Sequence, residues 1–209
     1  MAGAAWTVHA NDPRVQARWL LDDDQPKEAL QRLEAPDVPD DAETTRLRAV
    51  VKHALNRHNE EHGLILGLDE EGRKSPEPRL LDGLAEDFGN NEKDLSARRA
   101  LEALPADTVR SHLESLARGE PSTKQWGALR YLDVTKDTSG LDLVALYSAS
   151  LESSECSVRT KAAGQLASLG NPAALPALTR AAENPPGGKA CSPQTFARII
   201  EELKKKSTP

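Results

Sequence analysis

The chain has 209 residues, 33 of them acidic against 27 Lys and Arg, a net charge of −6, and only 3% aromatic side chains. The acid excess argues against a general nucleic-acid binder, which needs a strong basic field. No apolar run approaches the roughly 20 residues that cross a bilayer. Charge is uneven: residues 1–95 carry a net −9 and residues 96–209 a net +3, which leaves room for an acidic protein partner. With few aromatics, the core must be built from Leu, Ala and Val, with Trp6, Trp19 and Trp126 as rare bulky fillers. That suits thin helical layers better than a thick sandwich.

Asp12-Pro13 is a helix start, an Asp cap with Pro at the first helical position, and Val15, Trp19 and Leu20 follow at helical spacing. Pro26 opens a second helix with Ala29, Leu30 and Leu33 on one face, ended by Pro36 and Pro39. Asp40 or Asp41 caps a third, which carries Leu47, Val50, Val51, Ala54 and Leu55. Residues 67–79, with Gly67, Gly72, Pro76 and Pro78 among charges, read as a loop. Leu80, Leu81, Leu84 and Phe88 form a helical stripe that stops at Gly89-Asn90-Asn91.

Three repeats follow, roughly 92–119, 122–153 and 155–184. Ala97 and Leu101, Ala128 and Leu132, and Ala162 and Leu166 each place an alanine four residues before a leucine, and sixteen residues after each alanine stand Leu113, Val144 and Leu178. A small residue and a leucine on one turn, then a second apolar helix, is the pattern of stacked helix pairs, none of which can bury its apolar face alone. Gly170 sits where a helix C-terminus favours a left-handed residue. Asn184-Pro-Pro-Gly-Gly188 reads as a flexible break, and Ser192-Pro193 starts a last helix with Phe196, Ile199, Ile200 and Leu203 on one face.

The stretch Val158-Arg159-Thr160-Lys161-Ala162-Ala163, Leu166, Leu169-Gly170-Asn171-Pro172 and Ala174-Leu175-Pro176-Ala177-Leu178 resembles a HEAT-like repeat, clearest over residues 155–184 and looser toward residue 92. The helix–loop–helix register of the first 91 residues resembles a tetratricopeptide-type unit, without its full pattern. Together with Lys52-His53-Ala54-Leu55-Asn56-Arg57 and the Leu80–Gly89 helix, the order of segments is similar to the helical region that follows the catalytic domain in some bacterial serine/threonine protein kinases. The resemblances imply an α-solenoid whose members mostly bind other macromolecules.

The motifs that could carry chemistry are sparse. Asp87-Phe88-Gly89 spells the kinase magnesium motif, but the glycine-rich loop, strand lysine and catalytic loop that must accompany it are missing. Phe88 then reads as core and Gly89 as a helix stop. His58-Asn59-Glu60-Glu61-His62 matches the inverted zinc-protease signature, with His58 and His62 on one face. His53 lies about 140° away round an ideal helix and is no evident third ligand. Gly63 follows at once, where it ends the helix, and the charged surroundings favour a solvated helix end. Gly187-Gly188-Lys189 is no phosphate loop, since Glu183 and Ala190 stand where Gly and Ser/Thr belong. Cys156 and Cys191 show no metal spacing, suit a reducing cytoplasm and give no ground for a disulfide. A cation ladder remains: Arg99 and Arg130 two residues past their repeat alanines, Arg159 and Lys161 flanking the third, and Trp126 as an aromatic anchor for an acidic segment.

The expectation is an all-α solenoid, a right-handed stack of antiparallel helix pairs. It divides into a tetratricopeptide-like segment 1–91, HEAT-like repeats 92–184, a linker 185–192 and a capping helix 193–209. Function is read as a cytoplasmic, non-enzymatic protein-interaction or scaffolding module without cofactor, binding through Arg99, Trp126, Arg130, Arg159 and Lys161, with no nucleic acid and no membrane as partner. A regulatory module of a bacterial kinase system is the first alternative, and a metal-dependent hydrolase using His58, Glu61 and His62 the enzymatic one.

Overall fold

In a computed structural model, residues 11–93, 95–188 and 191–207 are described. Trp6, and Lys189 and Ala190 of the excluded phosphate-loop pattern, lie outside them. Among the described residues every regular element is a helix and no strand occurs. The α-helices are α1 (Pro13–Asp22), α2 (Pro26–Leu33), α3 (Ala42–Ala54), α4 (His58–Gly67), α5 (Glu70–Arg73), α6 (Pro78–Asn90), α7 (Leu95–Glu102), α8 (Ala106–Ala117), α9 (Thr123–Thr135), α10 (Leu143–Ser150), α11 (Cys156–Leu169), α12 (Leu175–Glu183) and α13 (Pro193–Ser207). Short 3₁₀ turns occupy Pro172–Ala174 and Pro186–Gly188. Helices pack mainly on their neighbours in sequence, α1 on α2, α3 on α4, α10 on α11 and α12 on α13, the arrangement of a helical-repeat protein.

The chain forms two compact units, one of residues 1–84 and 94–109 and the other of 85–93 and 110–209. In the first unit the starts are set by side chains that accept otherwise unmet backbone N–H groups. Asp12 accepts from Arg14 N (2.8 Å), Asp41 from Thr44 N (2.8 Å) and Asp69 from Gly72 N (2.7 Å). The core where α1, α2 and α3 meet is Ala17, Ala29, Leu30, Leu33, Leu47 and Val51. Each fully enclosed leucine there contributes on the order of 2 kcal/mol of apolar burial. The expected face of α2 is therefore found, and that of α3 at Leu47, Val50 and Val51, while Leu55 is half-buried and Ala54 exposed. Trp19 is not a core filler: it is 51% exposed, and the close α1–α2 packing is made at Ala17, where a small side chain lets the helices approach. The stretch 67–79 is also not all loop, because Asp69 caps the single turn of α5.

The second unit carries the later repeats. Ala128, Leu132, Ala162, Leu166, Leu113 and Leu178 are all fully buried, and only Val144 of that register is partly exposed. Ala97 and Leu101 are buried likewise in the first unit. Ser122 caps α9 through Gln125 N, Asp142 caps α10 through Ala145 N, and Gly170 ends α11 at φ +63°. Phe88 stacks edge-on against Tyr131 (centroids 5.8 Å apart). α6 ends at Asn90, within the expected Gly89-Asn90-Asn91 stop, and Gly89 itself is still helical. Cys156 and Cys191 form a disulfide with Cα atoms 5.3 Å apart, joining the first residue of α11 to the segment leading into α13. The pairing corrects the expectation of two separate thiols, and the cysteines no longer argue for a reducing compartment. Within the expected break, Pro186 is held, since its O accepts from Arg159 (3.0 Å).

Candidate functional site

The expected cation ladder resolves into separate structural roles. Trp126 is fully buried, Arg159 is 1% exposed and Arg130 is 9% exposed. These three are buried and held by internal partners, which corrects their expected place on a binding surface. Arg130 Nε donates to Glu92 Oε2 (3.1 Å), and its terminal nitrogen donates to the Tyr147 hydroxyl (3.0 Å) and to Asp133. Tyr147 in turn donates to Asp133 Oδ2 (2.7 Å), and Trp126 Nε1 to Glu92 Oε1 (3.2 Å). Glu92 thus holds the indole and the guanidinium with one carboxylate. Burial pushes the Tyr147 hydroxyl well above the ordinary tyrosine value. Burial pulls the Arg130 value down, but Tyr147 and Glu92 outweigh it and the net shift is upward.

Arg159 reaches the sulfurs of both Cys156 and Cys191. Lys161 Nζ donates to Gly89 O (2.6 Å) and so closes the C-terminal end of α6, where unmet carbonyls favour a cation. Of the five ladder residues only Arg99 stands exposed, on α7 in the first unit. One turn earlier on the same helix is Leu95, 56% exposed. Residues four apart share a helix face, so α7 offers an apolar side chain beside a guanidinium.

The histidine motif also differs from its linear reading. Gly63 does not end the helix; α4 continues through it to Gly67. His62 turns to Ser96 Oγ on α7 (2.9 Å). Glu61, fully buried, meets His53 instead: His53 Nδ1 lies 3.0 Å and His58 Nδ1 3.7 Å from Glu61 Oε2. The assumption of one continuous helix misplaced His53. The chain reverses at Asn56, in the left-handed region at φ +57°, and brings His53 of α3 back to His58 of α4 with ring centroids 5.2 Å apart. An Asn after a helical run is the signal that identifies such a turn. An open depression of about 570 Å³ is lined by Glu34, Arg48, Lys52, Glu60, Gly63 and Leu64. Its charges answer one another, Lys52 lying 3.1 Å from Glu60 and 3.8 Å from Glu34, so it presents no group poised for chemistry.

Fold and surface define an all-α helical-repeat protein. No family model matches the chain and no solved structure does. It is similar to the serine/threonine-protein kinase Pkn2 of Myxococcus xanthus, 39% identical over 213 residues. The match takes in 99% of this chain and 26% of that kinase, so the chain spans about a quarter of the length of the curated relative.

Proposed function

We propose that this chain is a non-catalytic, protein-binding helical module of a bacterial serine/threonine kinase signalling system. The observation that carries the reading is the likeness to Pkn2 along nearly the whole chain but only 26% of the kinase. Phosphoryl transfer needs a strand lysine, a glycine-rich loop over the phosphates and a catalytic loop. The helical unit has none of these in its sequence, and Phe88 and Gly89 of its one kinase-like tripeptide are structural. The module is HEAT-like over residues 92–184 and tetratricopeptide-like before residue 92. The burial of the alanine–leucine register supports this.

The partner is a protein segment with an acidic and an apolar side chain, and its contact on this chain is Leu95 with Arg99. Exposed leucine beside arginine gives both terms a helical groove uses, apolar burial and a charge-assisted hydrogen bond. The test is quantitative capture from lysate of the source bacterium with the chain, with a Leu95→Glu/Arg99→Glu variant and with an Arg198→Glu control. Proteins retained by the chain and the control but lost at least about tenfold with the double variant support the reading. Equal recovery on all three removes the α7 surface.

A further inference from the structure

We propose that His53, His58 and Glu61 form a binding site for one zinc-class divalent cation, independent of the partner-binding reading. The ligand atoms of the three residues all lie within 4.8 Å of one another. Zinc bonds of about 2.0–2.2 Å in tetrahedral array put ligand atoms about 3.3 Å apart. The two measured separations, 3.0 and 3.7 Å, bracket that edge. Two imidazole nitrogens with one carboxylate oxygen is a set that suits zinc, and not the all-oxygen cages of calcium or magnesium.

The site is built into the fold, not scattered on its surface. Glu61 is fully buried although it lies in the first turn of α4. A carboxylate there needs compensation. The His53 ring meets it at hydrogen-bond distance, and a divalent ion adds opposite charge. The His53 ring is seated against Gly83 of α6, where a Cβ would come within 2.9 Å of the ring. Gly83 thus leaves the space that fixes this imidazole. The third ligand, His58, has its side chain 39% exposed, which gives an ion a way in. The bound ion ties the end of α3 to the start of α4 across the Asn56 turn.

The test uses the full, untagged chain after chelator treatment, titrated with Zn²⁺ by calorimetry and with Co²⁺ by visible absorption. One equivalent of Zn²⁺ binds, and Co²⁺ develops the intense d–d bands of a tetrahedral site. His58→Ala, at the most exposed ligand, and His53→Ala each weaken binding by at least about tenfold, while His62→Ala stays within about twofold. Circular dichroism establishes that each variant is folded. Should His53→Ala fail to fold, His58→Asn takes its place. Absence of stoichiometric Zn²⁺ binding by the unmodified chain overturns the proposal, as does unchanged affinity in folded His58→Ala or His58→Asn protein.

Discussion

Gly89 and Gly127 meet backbone to backbone where α6 crosses α9. A Cβ on Gly127 would stand 2.8 Å from the amide nitrogen of Gly89 and would overlap the carbonyl oxygen of Ala85; one on Gly89 would overlap the carbonyl oxygen of Thr123. The crossing is close because neither helix carries a side chain at the contact, and it brings Phe88 onto Tyr131. The clashing atoms are backbone, so relief requires the helices to separate. Gly127→Ala is therefore expected to destabilise the protein by about 2–3 kcal/mol. A Cβ on Gly164 of α11 would meet nothing within 4 Å, and Gly164→Ala gains about 0.5–1 kcal/mol from helix propensity. Urea melts of the two variants against the unmodified chain check the opposite signs.

Arg130 neutralises Glu92 and Asp133 within the core of the second unit, with its side chain 11% exposed and theirs 26% and 20%. Removing it leaves two partly buried carboxylates, Asp133 beside Tyr147 and Glu92 beside Trp126. Arg130→Met is expected to cost about 2–4 kcal/mol, where Arg99→Met, at an exposed position, changes stability by less than about 0.5 kcal/mol. Thermal melts of both separate a structural arginine from a surface one.

Asp41 caps α3. The Thr44 N–H and, more weakly, Arg14 hold its carboxyl below the ordinary aspartate value of 3.8. A value lowered on folding contributes stability that is complete above the unfolded value and is lost as pH falls through the folded one. The unmodified chain is thus expected to lose stability as pH falls below about 4, and Asp41→Ala to show a shallower loss over that range. At pH 7 the variant is less stable by about 1 kcal/mol, the usual size of a lost cap. The charge part is modest because the Asp41 side chain is 45% exposed. Melting temperature against pH for both proteins reads the difference.

The disulfide closes a sequence separation of 35 residues. On the chain-entropy account this is worth about 3–4 kcal/mol. Melting with and without a thiol reductant is expected to show that loss, and a Cys156→Ser/Cys191→Ser chain to melt like the reduced protein and ignore the reductant.

The apolar register made the helices legible. Leu101, Leu132 and Leu166 are buried because a period of 3.6 residues leaves a leucine stripe no alternative in a helical stack. The cap at Asp12 is equally plain, and of the two candidates Asp40 and Asp41 for α3 it is Asp41 that caps. What the linear order hid was the direction of polar side chains. Arg130 and Arg159 look like surface cations by type, yet each lies inside because a partner distant in sequence meets it, Glu92 in one case and Pro186 in the other. Extending α3 through Asn56 misplaces His53, and a glycine at a close helix crossing, such as Gly89, looks the same in sequence as one that ends a helix.

The most direct test of the central claim removes the segment matching this chain from the Myxococcus kinase and measures two things on the folded remainder: phosphoryl transfer to a generic protein substrate, and recovery of bound cellular proteins. Transfer changing by less than about threefold while recovery is lost, and is restored when this chain is inserted in the gap, is the predicted result. Transfer falling to background with the segment gone, or phosphoryl transfer by the isolated chain with magnesium and ATP, would contradict it.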